Sequence, residues 1–289
     1  MRSSTFAQEV TQWYAVAARE LPWRDGATTP WGVLVSEAML QQTPVARVLP
    51  VWETWMARWP TAAMLAAQAP GEAVRAWGRL GYPRRALRLH RSAVAIVERH
   101  DGEVPASIED LRALPGVGDY TAAAVAAFAF GVRVPVLDTN VRRVHARVFD
   151  GEPDATNGAP TVRERAAALD RLPLVDAPKV SIAVMELGAL VCTSRAPRCE
   201  ACPVAPRCGW LAAGRPAPTG ARRSQTYAGT DRQARGRLLA VLRDSPDPVD
   251  RHALDVVWAD DPQRARALDG LVADGLVEPL ADGRYRLPA

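Results

Sequence analysis

Leu111-Arg112-Ala113-Leu114-Pro115-Gly116-Val117-Gly118-Asp119-Tyr120-Thr121 is the stretch that decides how this chain is read. Leu111 and Leu114 close one helix, residues 115 to 118 make a tight turn, and a second helix opens at Asp119. Two glycines one residue apart let backbone N–H groups approach a partner with no side chain in the way. The first N–H groups of a helix lack intrahelical acceptors, and the helix dipole makes that end attractive to an anion such as a phosphate. An ordinary helix–helix turn uses the same residues, so the hairpin needs support from elsewhere. Further on, Val134-Pro135-Val136-Leu137-Asp138-Thr139-Asn140 ends an apolar run and starts another helix. Asp138 is a good N-cap there, and that role does not exclude a chemical one.

The chain around this stretch has 289 residues, 48% of them hydrophobic, enough for two domains or for one domain and a module. A net charge of +4 leans mildly toward an anionic partner. Of 36 basic residues only Lys179 is a lysine, so a mechanism needing a lysine nucleophile has one candidate. No apolar N-terminal targeting segment and no membrane-length apolar run are present, so a cytoplasmic, nucleoid-associated protein is expected. Thiols stay reduced in that compartment, and the four cysteines read as ligands rather than disulfides.

Helical periodicity is strong. Phe6, Val10, Trp13, Tyr14 and Ala17 mark an amphipathic helix over Ser4 to Glu20, broken by Leu21-Pro22-Trp23-Arg24. Thr29-Pro30 opens a helix with proline in its first turn. Trp31, Val33, Leu34, Val35, Ala38, Met39 and Leu40 make it apolar almost all round, so it should be buried. Glu37 lies on the same stripe, where a carboxylate without a local partner is expensive to ionise and suits a general acid. Pairing with a distant arginine is the alternative. Further helices are expected at 45–58, 61–67, 71–78, 83–99 and 107–113, then from Asp138 to Phe149, and at 160–171 and 177–191. Arg79-Leu80-Gly81-Tyr82-Pro83-Arg84-Arg85 sets an aromatic among cations in a tight turn. That mix suits a wedge entering a base stack while arginines hold phosphates, or a plain turn whose tyrosine packs inward.

Cys192, Cys199, Cys202 and Cys208 form a C-x6-C-x2-C-x5-C array. Four thiolates in one short loop can enclose one metal centre. Structural zinc sites usually show two Cys-x-x-Cys pairs, and only one is present here. The spacing is similar to the [4Fe–4S] loop of endonuclease III and adenine glycosylases. The hairpin with its following aspartate resembles the helix–hairpin–helix superfamily of base-excision glycosylases. Ser36-Glu37-Ala38-Met39-Leu40-Gln41-Gln42-Thr43, Leu80-Gly81-Tyr82, Asp138 with Asn140, and Glu186-Leu187-Gly188-Ala189 narrow the resemblance to the MutY family of adenine DNA glycosylases, over residues 8 to 210.

The residues after 213 read as a linker and a C-terminal winged-helix-like module. The resemblance implies a mostly α fold before them: a six-helix domain and a helical [4Fe–4S] domain. It implies an N-terminal helix at 1–20 packing with the iron–sulfur domain, a six-helix domain with the hairpin at 21–137, and the catalytic Asp helix and [4Fe–4S] domain at 138–213. A linker at 214–230 and the module at 231–289 follow. It implies a monomeric, monofunctional enzyme that binds double-stranded DNA carrying A:8-oxoguanine or A:G mispairs. The adenine is flipped out, Glu37 protonates it, and the anionic Asp138 stabilises the sugar cation. Tyr120 and Asn140 line the sugar side, and Trp23, Arg24, Met185 and Ile182 border the adenine pocket. Gln42, Thr43, Leu80, Gly81 and Tyr82 face the orphaned base and its stack. Gly116, Val117, Gly118, Arg195 and Arg198 touch the backbone. Bifunctional relatives carry a lysine at the Tyr120 position.

Several positions depart from the family pattern. Thr139 stands where glycine is common, Pro83 where many members have a second tyrosine, and Ile182 where many have Gln or Glu. The usual Nudix-like C-terminal domain, which reads 8-oxoguanine, is replaced by the 231–289 module. Three helices marked by Leu238, Leu254 and Leu268, and a hairpin around Asp282-Gly283, resemble a winged helix. Asp269 and Asp274 beside Arg264 and Arg266 favour packing or docking of a protein partner over base reading. A thymine-specific mismatch glycosylase and a non-catalytic mismatch-binding protein are the competing readings. Glu37 argues against the first, because thymine has no N7 to protonate.

Overall fold

The computed structural model describes residues 2–155, 158–217 and 227–289, with side chains from Thr5 onward. Residues 218–226 of the expected linker lie outside them. The helices in chain order are α1 (Arg2–Ala17), α2 (Pro30–Leu40), α3 (Val45–Arg58), α4 (Ala62–Ala66), α5 (Pro70–Trp77), α6 (Arg84–Arg99), α7 (Ile108–Ala113) and α8 (Asp119–Phe130). They continue as α9 (Thr139–His145), α10 (Val162–Arg171), α11 (Ala177–Leu190), α12 (Gly209–Ala212), α13 (Asp231–Asp244), α14 (Arg251–Asp255) and α15 (Asp261–Ala273). One hairpin, β1 (Glu278–Pro279) with β2 (Tyr285–Arg286), pairs antiparallel, Glu278 opposite Arg286. The fold is mostly α, as expected. Among the described residues no helix is long and apolar enough to cross a membrane.

The chain divides into two compact units. The first takes Met1–Val33, Ala106–Arg112 and Val117–Ala221. Its core gathers Phe6, Ala7 and Val10 of α1, Val141 and Val144 of α9, and Val180, Ala183, Val184 and Leu187 of α11, with Trp13 and Tyr14 half-buried against it. The helical stripe read from α1 is therefore its buried face. α1 stops at Ala17, short of Glu20, because the Arg19 N–H turns to Glu186 Oε1, 3.1 Å away, instead of a helical carbonyl. α9 ends at His145 and the chain continues as one wider π turn, Ala146–Asp150, closed by Gly151 at φ +75°.

The second unit takes Leu34–Pro105, Ala113–Gly116 and Arg222–Ala289. Trp55 meets Trp59 and Trp77 edge-on at centroid distances of 4.8 and 5.8 Å. α4 and α5 pack on α6, whose buried side includes Leu89, Ser92 and Ile96. The C-terminal elements share this unit: α13 packs on α15 and on α5. They do not stand apart as the sequence suggested, because Gly71 in α5 admits the Leu287–Pro288 backbone at close range. α14, the helix marked by Leu254, is only five residues long. Val256 is exposed beyond its end, and the Trp258 indole donates to Gln263 Oε1 at 2.7 Å.

Candidate active site and nucleic-acid interface

Asp138 is the N-cap of α9. Its Oδ1 accepts from the Val141 N–H at 2.6 Å and its Oδ2 from the Asn140 amide at 2.9 Å. Burial holds this carboxyl above its ordinary pKa, opposed by the two donors and by the Arg143 charge. Asn140 is itself fixed. Its Oδ1 accepts from Arg143 Nη2 at 2.7 Å, and Arg143 also donates to the carbonyls of Gly188 and Cys192, both at 2.7 Å. A Cβ at residue 188 would lie 2.7 Å from Asn140 Cβ and 2.8 Å from its carbonyl oxygen. Gly188 is thus what lets α11 seat against Asn140. Arg143 was missed from sequence. Its signal was Arg147 four residues on, a like-charged pair on one helix face that calls for electron-rich partners between them.

Glu186 is fully buried in α11. Arg19 grips it from Nε and Nη2, each at 2.7 Å, and Arg24 adds Nη2 at 2.9 Å. These bonds outweigh burial and hold its carboxyl down at about 2. The bridge ties α1 and the short turn Pro22–Arg24 to α11 and so fixes Trp23, which is buried, and Arg24. The other nitrogen of Arg24, Nη1, is buried with no hydrogen-bond partner. Such a donor is costly unless something polar reaches it. Met185 and Tyr120 pack on the same small cluster, Ala124, Ala127 and Val136. Ile182 is half-buried on the same helix.

In the second unit, Glu37 is buried in α2, 5% exposed. The next turn carries Gln42, exposed at φ +54°, and the turn after α5 carries Tyr82, 51% exposed at φ +47°. Both are non-glycine residues in the left-handed region, a strain that concentrates at functional sites. Arg85 holds these two turns together. Its Nη1 donates to the carbonyls of Ala38 (2.9 Å), Met39 (3.1 Å) and Gln41 (2.6 Å). Its Nη2 donates to Thr43 Oγ1 (3.0 Å) and the Gly81 carbonyl (3.1 Å). The guanidinium sits 5.5 Å from the Tyr82 ring centroid, and burial lowers its pKa to about 10. Thr43 and Leu80 are buried, so Gln42 and Tyr82, not Leu80, present side chains outward. The spacing Arg85, Leu89, Ser92, Ile96 places Arg85 on the apolar stripe of α6, a signal sequence reading passed over.

Gly116 has φ +84°, and a Cβ there would lie 2.6 Å from Arg88 Cβ, so the hairpin needs glycine to reach α6. The Pro115 carbonyl accepts from Ser92 Oγ at 2.6 Å. Gly118, the N-cap of α8, is extended, and a Cβ there would meet nothing within 4 Å.

The four cysteines are half-buried free thiols around one cavity of about 360 Å³, open in part to solvent and lined also by Val191 and Trp210. Burial raises the Cys202 thiol to about 11, and its three companions add to the shift. Arg147 Nη1 donates to Cys192 Sγ at 3.3 Å and stacks 4.6 Å from the Trp210 ring centroid. Among the described residues no trio of His, Cys, Asp or Glu closes on a single-ion position. Four soft thiols lining one cavity are a donor set that suits a thiolate-bound metal centre. Arg195 and Arg198 are exposed on this loop, Arg198 donating to the Leu190 carbonyl at 2.7 Å.

Residues 35–169 match the family model described as HhH-GPD superfamily base excision DNA repair protein. An adenine DNA glycosylase of Mycolicibacterium smegmatis is 56% identical over 280 residues, 96% of this chain and 94% of that protein. The adenine DNA glycosylase of Mycobacterium tuberculosis H37Rv is 55% identical, covering 96% and 91%. The solved structure of a thermostable thymine-DNA glycosylase superposes with a TM-score of 0.67 at 24% identity, covering 73% of this chain and 97% of that one, and shows the shared fold. The chain belongs to the adenine DNA glycosylases of the helix–hairpin–helix base excision repair superfamily.

Proposed function

We propose that this protein is a monofunctional glycosylase that flips adenine out of A:8-oxoguanine or A:G mispairs in duplex DNA and hydrolyses its N-glycosidic bond. The observation that carries the reading is Asp138, a half-buried carboxylate that accepts from the Asn140 amide and the Val141 N–H. A carboxylate short of solvation gains most from a cation that forms next to it. The cation here is the oxocarbenium-like sugar left when the C1′–N9 bond breaks. Its positive charge favours ionised Asp138, against the burial that raises its pKa. Glu37, buried in α2, gives a proton to adenine N7, which makes the base a better leaving group. Water completes the hydrolysis. Tyr120 and Asn140 line the sugar side, while Trp23, Arg24, Met185 and Ile182 border the base.

Cys192, Cys199, Cys202 and Cys208 would hold a [4Fe–4S] cluster, which when bound supplies a four-thiolate cross-link of the loop and a redox-capable centre. The Gly116–Gly118 hairpin and the exposed Arg195 and Arg198 suit phosphate contacts, and Gln42 and Tyr82 suit the orphaned base and its stack. Product analysis on duplexes pairing each normal base with 8-oxoguanine or guanine tests the reading. Free adenine from A:8-oxoguanine and A:G is expected. Release of thymine alone, or specific binding with no base released, overturns it.

A further inference from the structure

Residues 231–289 grip α5 at both ends. At its start the Gly71 N–H donates to the Pro288 carbonyl at 2.8 Å, and a Cβ on Gly71 would lie 2.5 Å from that oxygen and 2.9 Å from Leu287 Cβ. At its end Arg243 Nε donates to the Val74 carbonyl at 3.0 Å. In return Arg75 Nη1 donates to the Arg243 carbonyl and, at 2.8 Å, to that of Ser245. Each arginine thus supplies a cationic cap to the C-terminus of the other's helix. Arg243 is buried enough for this that its pKa falls to about 10. A fourth tie reaches the next helix, where Arg84 Nη1 pairs with Asp274 Oδ1 at 3.2 Å.

Only the turn 78–83 separates α5 from α6, and it is the turn that presents Tyr82. The C-terminal segment therefore holds both flanks of that turn. The segment is poorly equipped to hold DNA by itself. Residues 231–289 contain eleven acidic side chains against nine arginines. Arg235, Arg251, Arg264, Arg266, Arg284 and Arg286 are each paired with a carboxylate of the same segment. A surface that spends its arginines internally has little left for phosphates.

We infer that residues 231–289 are a brace that sets the pose of the 78–83 turn, with Gly71, Arg75 and Arg243 as positioning residues acting through Tyr82. The inference rests on Tyr82 entering the base stack. The test compares full-length wild type, Gly71→Ala, Asp274→Asn, Tyr82→Ala and the Gly71→Ala/Tyr82→Ala double variant. Urea midpoints, anisotropy with an A:8-oxoguanine duplex and with a matched duplex, and single-turnover rates at saturating enzyme are measured.

Helix propensity alone favours Ala over Gly, so an undocked α5 would show a higher urea midpoint in Gly71→Ala. The brace requires a lower one. It also requires the Kd for the mispaired duplex to rise about tenfold, within the range of one lost base–aromatic stack, with the matched duplex and the saturated rate unchanged. Asp274→Asn, which removes no buried contact of α5, should move the same Kd in the same direction. Adding Gly71→Ala to Tyr82→Ala should cost nothing more, the signature of two changes acting through one contact. A raised midpoint with unchanged Kd overturns the brace, and multiplying losses in the double variant overturn its action through Tyr82. A wild type that does not distinguish the mispaired duplex refutes the wedge reading instead, and the urea midpoints then still judge the docking on their own.

Discussion

Replacing Glu186 by Gln should cost about 3 kcal/mol of stability at neutral pH. The carboxyl is held at about 2, against an ordinary value of 4.5, by Arg19 and Arg24. At about 1.4 kcal/mol per unit, that displacement corresponds to about 3 kcal/mol favouring the ionised form in the folded chain. Glutamine keeps the shape but offers one acceptor oxygen and no charge. It leaves guanidinium donors short of partners in a place where Glu186 itself has no exposure. The sign follows from the direction of the shift. A carboxyl with a depressed folded pKa contributes its full stabilisation above the unfolded value and loses it as pH falls toward the folded one. Urea midpoints at constant m-value, for wild type and Glu186→Gln, should therefore differ by the same amount from pH 8 down to about 5, and converge below 4.5. A gap below about 1 kcal/mol at pH 7, or one that changes between pH 8 and 6, would refute the reasoning. Adding Arg24→Met should cost less in the Glu186→Gln background than in wild type, because the two share one bridge.

Glu37→Gln should lower single-turnover adenine release by about 10²–10⁴-fold while leaving duplex affinity nearly unchanged, and near-normal turnover would remove it from the acid role. Asp138→Asn should be crippled similarly, since a neutral amide does not balance a sugar cation. Purified protein should be brown and contain about four irons per chain; colourless, fully active, zinc-loaded protein would refute the cluster. Borohydride should trap little enzyme on DNA, because Schiff-base chemistry needs an amine at C1′, Tyr120 stands at the lyase position, and Lys179 is the only lysine. Robust trapping that survives Lys179→Ala and a blocked N-terminal amine would contradict that.

Much of the fold was legible because its signals are local. α2 is apolar all round and is buried, with Leu34, Val35 and Met39 at 1% exposure or less. Thr161 and Glu164 form the reciprocal capping pair that starts α10. Asp138 read as both cap and chemical group, and the capping geometry is present. The array of four cysteines needed only its spacing. Arg85 reads in sequence as one of the turn's phosphate-facing cations, yet it is buried at 8% exposure, because its place on the α6 stripe turns it inward to carbonyls of the α2 end. The motif sets Thr43 and Leu80 toward the orphaned base, yet both pack inward at 7% and 3% exposure, leaving Gln42 and Tyr82 as the exposed side chains.

By itself the sequence determined the helices, the hairpin and the spacing of the four thiols, since propensity and periodicity act over a few residues. Tertiary structure alone decided which arginines become internal struts: Arg19 and Arg24 on Glu186, Arg143 on Asn140, Arg85 between two turns, Arg75 and Arg243 across α5 and α13. It also decided that residues 231–289 share a unit with residues 34–105. A guanidinium has five donors and a long stem, so its partners are chosen by whichever carbonyls and carboxylates the packed helices bring within about 3 Å. That choice is made between residues as far apart in sequence as Arg75 and Ser245, where no local pattern reaches.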